Sequence, residues 1–144
     1  MRYVGFDREE EAEQWARQKL NLPAAPDFFR AAAAVDGDGQ FVCVVVMTNF
    51  TPRNVDLNIV IEKTKVRPKA TIEMFNGIFG FLFDKLGAAR VTGLLRGKNA
   101  ESRRITDHFG FKLEGIMRKA FADDDLHVYG FLAEEYHAHT WRRG

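Results

Sequence analysis

A single cysteine, Cys43, is the whole thiol content of this chain, so no disulfide can form within it. It sits inside the apolar run FVCVVVM, where a thiol is expected to be inert packing rather than a nucleophile. No apolar stretch approaches the ~20 residues that a membrane-spanning helix needs, which excludes that class. The N-terminal segment is acidic and lacks a signal-peptide core, so the expected location is the cytoplasm and no membrane partner is implied. Net charge is also missing: 21 Lys and Arg against 20 Asp and Glu leave +1. That balance supplies no general attraction for nucleic acid, and no specific nucleic-acid partner is expected. Histidine is scarce, and His137-x-His139 lies in a tail remote from Cys43, so no metal site is expected. Asp123-Asp124-Asp125 reads as a polar turn rather than a calcium loop.

What the chain does have is aromatic bulk, including 13 phenylalanines in 144 residues. That length suits one domain over residues 1–144, able to bury about two-thirds of its unfolded surface. Asp7 to Leu20 reads as a surface helix with Asp7 as N-cap, glutamates in its first turn and a narrow seam of Ala12, Trp15, Ala16 and Leu20. Pro23 and Pro26 break it, and Phe28 to Val35 follows as a strand. Asp36-Gly37-Asp38-Gly39 is a hairpin turn, because such pairs tolerate the positive φ it requires. Gln40 to Phe50 is then a long, nearly continuously apolar strand, and Val55 to Ile61 a third antiparallel one.

Pro68 to about Leu86 reads as a helix, with Pro68 at the first position, where a missing amide hydrogen costs nothing. Its stripes Ile72, Phe75, Phe79, Leu82, Phe83, Leu86 and Met74, Ile78, Phe81 predict burial around most of its circumference. Gly77 and Gly80 inside it predict close approach of another backbone. The order of helix, three strands, buried helix, strand, short helix and two strands predicts an α/β fold with a mixed sheet. The last two strands are expected over Lys112–Ala120 and Leu126–Phe131, and a short helix in the tail from Glu134.

Most informative is Arg90 to Arg118, RVTGLLRGKNAESRRITDHFGFKLEGIMR. It contains a short strand, an Asn99 N-cap, a helix with Glu101 and Ser102 in its first turn, and Gly110 as the left-handed residue after Phe109. Asn99-x-x-Ser102, followed by His108-Phe109-Gly110-Phe111-Lys112-Leu113-Glu114-Gly115-Ile116-Met117-Arg118, resembles the C-terminal half of the GNAT acetyltransferases. The branch it most resembles includes the ribosomal-protein N-terminal acetyltransferases, and Val128-Tyr129-Gly130 and Glu134-Glu135-Tyr136 resemble that branch's closing strand and tail. The likeness covers roughly residues 55–137 and is topological before that; in detail it also resembles the small GNAT-like proteins of tailed phages and prophages. It implies an acyl-CoA N-acyltransferase fold, a mixed, mostly antiparallel central sheet flanked by helices.

The resemblance further implies acetyl-CoA as cosubstrate, an amine acceptor, and direct transfer of the acetyl group. Its pyrophosphate would sit at the start of the Pro68 helix, where free amides and the positive dipole end favour an anion. The matching loop is Lys65-Val66-Arg67-Pro68-Lys69-Ala70-Thr71-Ile72, with Arg67 at the family's first position. Ala70 and Ile72 stand where the family has small glycine-type residues, and Pro68 removes a donor. Lys65, Arg67 and Lys69 oppose the dipole, as either an anion site or a solvated loop would allow. Val60, Ile61 and Glu62 would border the pantetheine arm on one side and Leu94 to Arg96 on the other. Asn99 and Ser102 match positions beside the thioester, and Arg103 joins the cofactor-binding candidates with Arg67, Lys69, Ala70 and Thr71; capping alone also accounts for Asn99 and Ser102.

The position of the family's proton-donating tyrosine is Thr106, too weak an acid, which leaves Tyr129 or Ser102; Tyr129 serves equally well as core. Asp56, Glu62 and Glu114 are candidate bases, with Glu62 the leading one. Arg96, Lys98, Arg103 and Arg104 form the one basic cluster, open to a phosphate, to nucleic acid or to solvent alone. The acceptor is a protein N-terminus, a lysine or a small amine, and a homodimer is compatible with an exposed terminal strand. The rival reading is a catalytically silent binding module that keeps the scaffold and has lost the phosphate loop.

Overall fold

The computed structural model describes residues 2–20, 28–62 and 68–138, with the side chains at 20, 28–29 and 68–71 outside that description. The described strands are β1 (Arg2–Gly5), β2 (Phe28–Val35), β3 (Phe41–Thr48), β4 (Asn54–Ile61), β5 (Arg90–Arg96), β6 (Lys112–Phe121) and β7 (Asp124–Leu132). Helices are α1 (Glu9–Leu20), α2 (Pro68–Phe79), α3 (Ala100–His108) and α4 (Ala133–Ala138). The seven strands form one sheet in the order β1-β2-β3-β4-β5-β7-β6. Every neighbouring pair is antiparallel except β4 and β5, which are parallel.

The two faces of the sheet are covered unequally. Ala31 and Ala33 of β2, with Val44 and Val46 of β3, bury Ala12 and Ala16 of α1. The opposite face carries Ala32 and Ala34, Val45 and Met47, Val55 and Leu57, and Val91 and Leu95 beneath α2. A strand of four consecutive buried alanines lets both helices lie close to the sheet. Phe79 is the hub of the larger core: its ring centroid lies 5.3 Å from Phe131, 5.4 Å from Phe75 and 5.8 Å from Phe111. Rings of this kind, offset or edge-on, add about 0.5–1.5 kcal/mol per pair beyond simple burial.

Four features depart from the sequence expectations. β1 pairs antiparallel with β2 and adds an edge strand that four residues ending in glycine did not announce. α1 begins at Glu9 rather than after Asp7, because the chain first turns at residues 6–8; the Arg8 carbonyl accepts the Ala12 amide. The long buried helix changes pitch at Gly80, continuing as a π-helix over Gly80–Lys85, with the Leu86 amide donating to Phe81 at 3.0 Å. The wider turn leaves both Leu82 and Phe83 buried, with Phe83 stacked 4.9 Å from Tyr136. What packs at Gly77 is a side chain, not a backbone: a Cβ there would lie 2.9 Å from the Tyr3 ring. At Gly80 the nearest neighbour is the Tyr136 hydroxyl at 3.9 Å, ordinary contact.

The end of α3 follows the sequence reading closely. Gly110 has φ +94, its amide donates to the Asp107 carbonyl and the Phe111 amide to that of Thr106. Those two bonds are the Schellman pattern, which turns the chain into β6 and aims Phe111 at the core. Gly110→Ala is expected to cost about 1–2 kcal/mol in urea denaturation, the left-handed penalty for an L side chain. Gly37→Ala, with nothing within 4 Å of the added carbon, should change stability by less than about 0.5 kcal/mol.

Candidate active site

β4 and β5 part company. Their parallel register holds for four pairs, Asn54↔Arg90 to Leu57↔Gly93, and then ends. Beyond it β4 runs on to Ile61 paired with β3, and β5 runs on to Arg96 paired with β7. Each strand follows its outer partner, and sheet twist carries the two apart. The inner edges of residues 58–61 and 94–96 therefore face one another without a shared ladder. Backbone donors and acceptors in that position call for a partner. The wedge opens towards the start of α2 and the start of α3, two helix N-termini with positive dipole ends.

The residues named from sequence fall around this wedge unevenly. Val60 and Ile61 lie on its β4 side, as expected. Arg67 lies outside the described residues, while Lys69, Ala70 and Thr71 form the first turn of α2. Asn99 caps α3, its side-chain oxygen accepting the Ser102 amide at 3.2 Å. Ser102 is fully buried and its Oγ has no partner among the described residues; Nε of Arg103 is in the same position. A buried hydroxyl left unmatched costs about 1–3 kcal/mol, so capping alone accounts for Asn99 and not for Ser102.

Glu62 is not a free base. Its Oε1 meets Lys19 Nζ of α1 at 3.3 Å, and its amide donates to the Val42 carbonyl. Glu114 is also committed, to Arg90 at 2.7 Å. That pair crosses over Gly130, where a Cβ would come within 2.7 Å of Arg90 Nη2. Asp56 accepts from the side-chain amides of Asn49 and Asn54, each at 2.9 Å. Thr106 is 4% exposed and donates its hydroxyl to the Ser102 carbonyl at 2.7 Å. Tyr129 is 3% exposed and packs in the larger core opposite Gly93 and Leu113. Burial pushes its phenol above the ordinary tyrosine value and Asp107 adds to this, while Arg103 opposes.

Cys43 is buried in β3, and burial alone pushes its thiol up to about 12, which makes it packing. Among the described residues no group of three His, Cys, Asp or Glu side chains could hold a metal. No described helix is long and apolar enough to cross a membrane. Of the basic cluster, Arg96 and Lys98 reach Asp123 at 3.8 and 4.0 Å, and Arg104 pairs with Glu101.

Sequence reasoning missed Asp124, which fastens the rim of the wedge. Its Oδ2 accepts the Lys98 amide at 2.9 Å, and its Oδ1 the Asp125 amide at 2.7 Å. A Cβ on Gly97 would sit 3.0 Å from that carboxylate and 2.8 Å from His127 Nε2, so glycine allows the approach. The Lys98 amide, first among several causes, holds the Asp124 carboxyl below its ordinary range. A lowered folded-state value means stability contributed above the ordinary aspartate range and lost as pH falls through and below it. Wild-type protein should therefore lose stability faster than Asp124→Asn between pH 5 and the acid limit, read from urea midpoints.

Comparison with known proteins agrees with this fold. A family model described as acetyltransferase (GNAT) domain matches residues 1–112. No curated protein matches the chain significantly. Among solved structures, a putative acetyltransferase superposes with TM-score 0.73 at 22% identity, covering 97% of this chain and 78% of that one. A ribosomal-protein-S5-alanine acetyltransferase from Vibrio fischeri gives 0.65 at 14%, covering 86% and 69%. A spermidine/spermine N-acetyltransferase from Vibrio cholerae, in mutant form, gives 0.62 at 16%, covering 88% and 78%. These likenesses are of fold; the family match, over more than three quarters of the chain, makes this protein a member of the GNAT acetyltransferase domain family.

Proposed function

We propose that the protein is an N-acetyltransferase that binds acetyl-CoA in the β4–β5 wedge and passes its acetyl group directly to a primary amine. The observation that carries this reading is the parallel register that stops after Leu57↔Gly93. An extended arm bearing amide groups is the kind of ligand that two unpaired strand edges accept. Pantetheine is such an arm. Asn99, the orphaned Ser102 hydroxyl and Arg103 stand at one wall of the wedge, and Val60 and Ile61 at the other. Arg67, Lys69, Ala70 and Thr71 are assigned to the pyrophosphate at the start of α2.

The amine attacks the thioester carbonyl, a C–N bond forms, the C–S bond breaks, and the thiolate leaves and takes a proton. Tyr129, whose phenol lies near Asp107 and Arg103 of α3, Ser102 or solvent supplies that proton. Glu62 is the base only if its contact with Lys19 opens. The whole chain acts as one domain, in the cytoplasm, with a protein N-terminus, lysine or small amine as acceptor. A second copy would pair along β6, where Leu113 is 51% and Met117 55% exposed.

One feature favours a second reading, a silent scaffold: Pro68 opens α2 and Ala70 follows, so the phosphate cradle has one donor fewer and no glycine. Calorimetry with CoA and acetyl-CoA separates the two. Saturation at a hundred times the dissociation constant should stabilise the fold by roughly 2.7 kcal/mol in a thermal-shift series. Ala70→Gly should tighten binding if the loop is the phosphate site. No heat at millimolar CoA would leave the silent scaffold standing.

A further inference from the structure

Large apolar side chains that are exposed are few among the described residues, and most gather at one edge of the sheet. Leu113, Ile116 and Met117, between 48% and 55% exposed, all lie on β6. β6 is the terminal strand, and its residues from Lys112 to Ala120 are exposed throughout. A single exposed apolar residue is ordinary, but three on one unpaired strand are the mark of an interface. The opposite edge strand, β1, has four residues and none of these side chains.

The partner these residues fit is a second copy of the chain. Two copies of β6 can lie antiparallel across a twofold axis, and residues that face each other then share a side of the sheet. The axis must therefore pass through a residue and not between two. Register with β7 assigns the sides. Leu113 and Ile116 pair with Tyr129 and His127 on the helix-covered side, and Gly115 and Met117 pair with Val128 and Leu126 on the other. Centred on Gly115, the two strands would set Lys112 against Arg118, like charges facing. Centred on Met117, they would set Ile116 against Arg118 and Glu114 against Ala120. Centred on Ile116, the isoleucines meet, Glu114 faces Arg118 twice over, and Met117 faces Gly115. Of the three registers this one alone pairs opposite charges. It also matches in shape: a Cβ on Gly115 would have nothing within 4 Å, which leaves room for the second copy's Met117. Glu114 already holds Arg90, and a carboxylate has acceptor capacity for a second guanidinium. Register shifts after Leu113 and after Met117 confine the shared ladder to residues around Ile116.

We propose that the protein is a twofold dimer joined along β6, with Ile116 on the axis and Met117 of each copy seated over Gly115 of the other. The pairing uses up the long edge of both sheets, so assembly stops at two and gives no filament. β7 separates β6 from β5, so each copy keeps its own β4–β5 wedge clear of the contact. The inference specifies the register of the β6 pairing and needs neither CoA nor turnover, so it stands or fails independently of the acetyltransferase reading.

The test uses the whole chain without ligand. Sedimentation velocity up to hundreds of micromolar chain should show monomer passing to dimer and nothing larger. Ile116→Cys under mild oxidation should give a dimer on a non-reducing gel. Residues facing each other on antiparallel strands have Cα atoms about 4.5–5.5 Å apart, within disulfide reach. Leu113→Cys should not cross-link, since it faces Lys119 and lies roughly 20 Å along the strand from its own copy. Cys43 is buried in β3 and takes no part. Gly115→Val fills the space that Met117 needs and should weaken the dimer about tenfold, as overpacking does. Its urea midpoint at dilute, monomeric concentration should stay close to that of wild type, which separates a lost contact from a lost fold. A chain monomeric throughout, growth beyond the dimer, or a Gly115→Val dimer as tight as wild type overturns the proposal. So does a dimer that Leu113→Cys cross-links and Ile116→Cys does not.

Discussion

Four register pairs between two parallel strands hold the halves of this sheet together. On one side β1 to β4 form an antiparallel block; on the other, β5, β7 and β6 form a second. Each block is well paired internally, and β5 keeps its register with β7 along all seven residues. The seam between them is short because twist separates two strands that are each committed elsewhere. Backbone edges left open by that separation are a cost to the fold unless a ligand takes them up. The site is thus a consequence of topology before any side chain is considered.

The packing on each face keeps the seam from closing. The aromatic cluster centred on Phe79 ties α2 to Phe109 and Phe111 at the end of α3 and to Phe131 in β7. It spans both blocks on one face and fixes their angle. On the other face α1 grips only the first block, through alanines small enough for close contact. The rim is fastened separately, by Asp124 on the Lys98 amide and by Arg96, whose guanidinium lies 3.9 Å over the Phe121 ring. The result is a sheet with one face backed by helices and the other, among the described residues, uncovered over the second block.

Local signals in the sequence were legible and nonlocal ones were not. Asn99 and Gly110 each act on backbone groups a few residues away, so the helix they bound could be placed almost to the residue. The Asp36–Gly39 turn and the three strands around it were readable for the same reason. β1 escaped because its four residues have meaning only against β2. The π turn escaped because the residues it buries pack against Tyr136 and Phe131, some fifty residues on, contacts that no local pattern announces. At the site, the side chains bordering the wedge were named from the family likeness, but their states were not. Glu62 was the leading candidate base by sequence, and its pairing with Lys19, like that of Glu114 with Arg90, is a contact between distant segments that no local signal carries.

The central claim is that residues 58–61 and 94–96 are open edges that an extended ligand completes. Amide hydrogen exchange with and without saturating CoA measures this directly, residue by residue. The account predicts rapid exchange at inner-edge amides of both segments in free protein, slowed together on binding, with β2 and β3 unchanged. Full protection of both segments before any ligand is added, or bound CoA that slows exchange elsewhere and leaves them untouched, would contradict it.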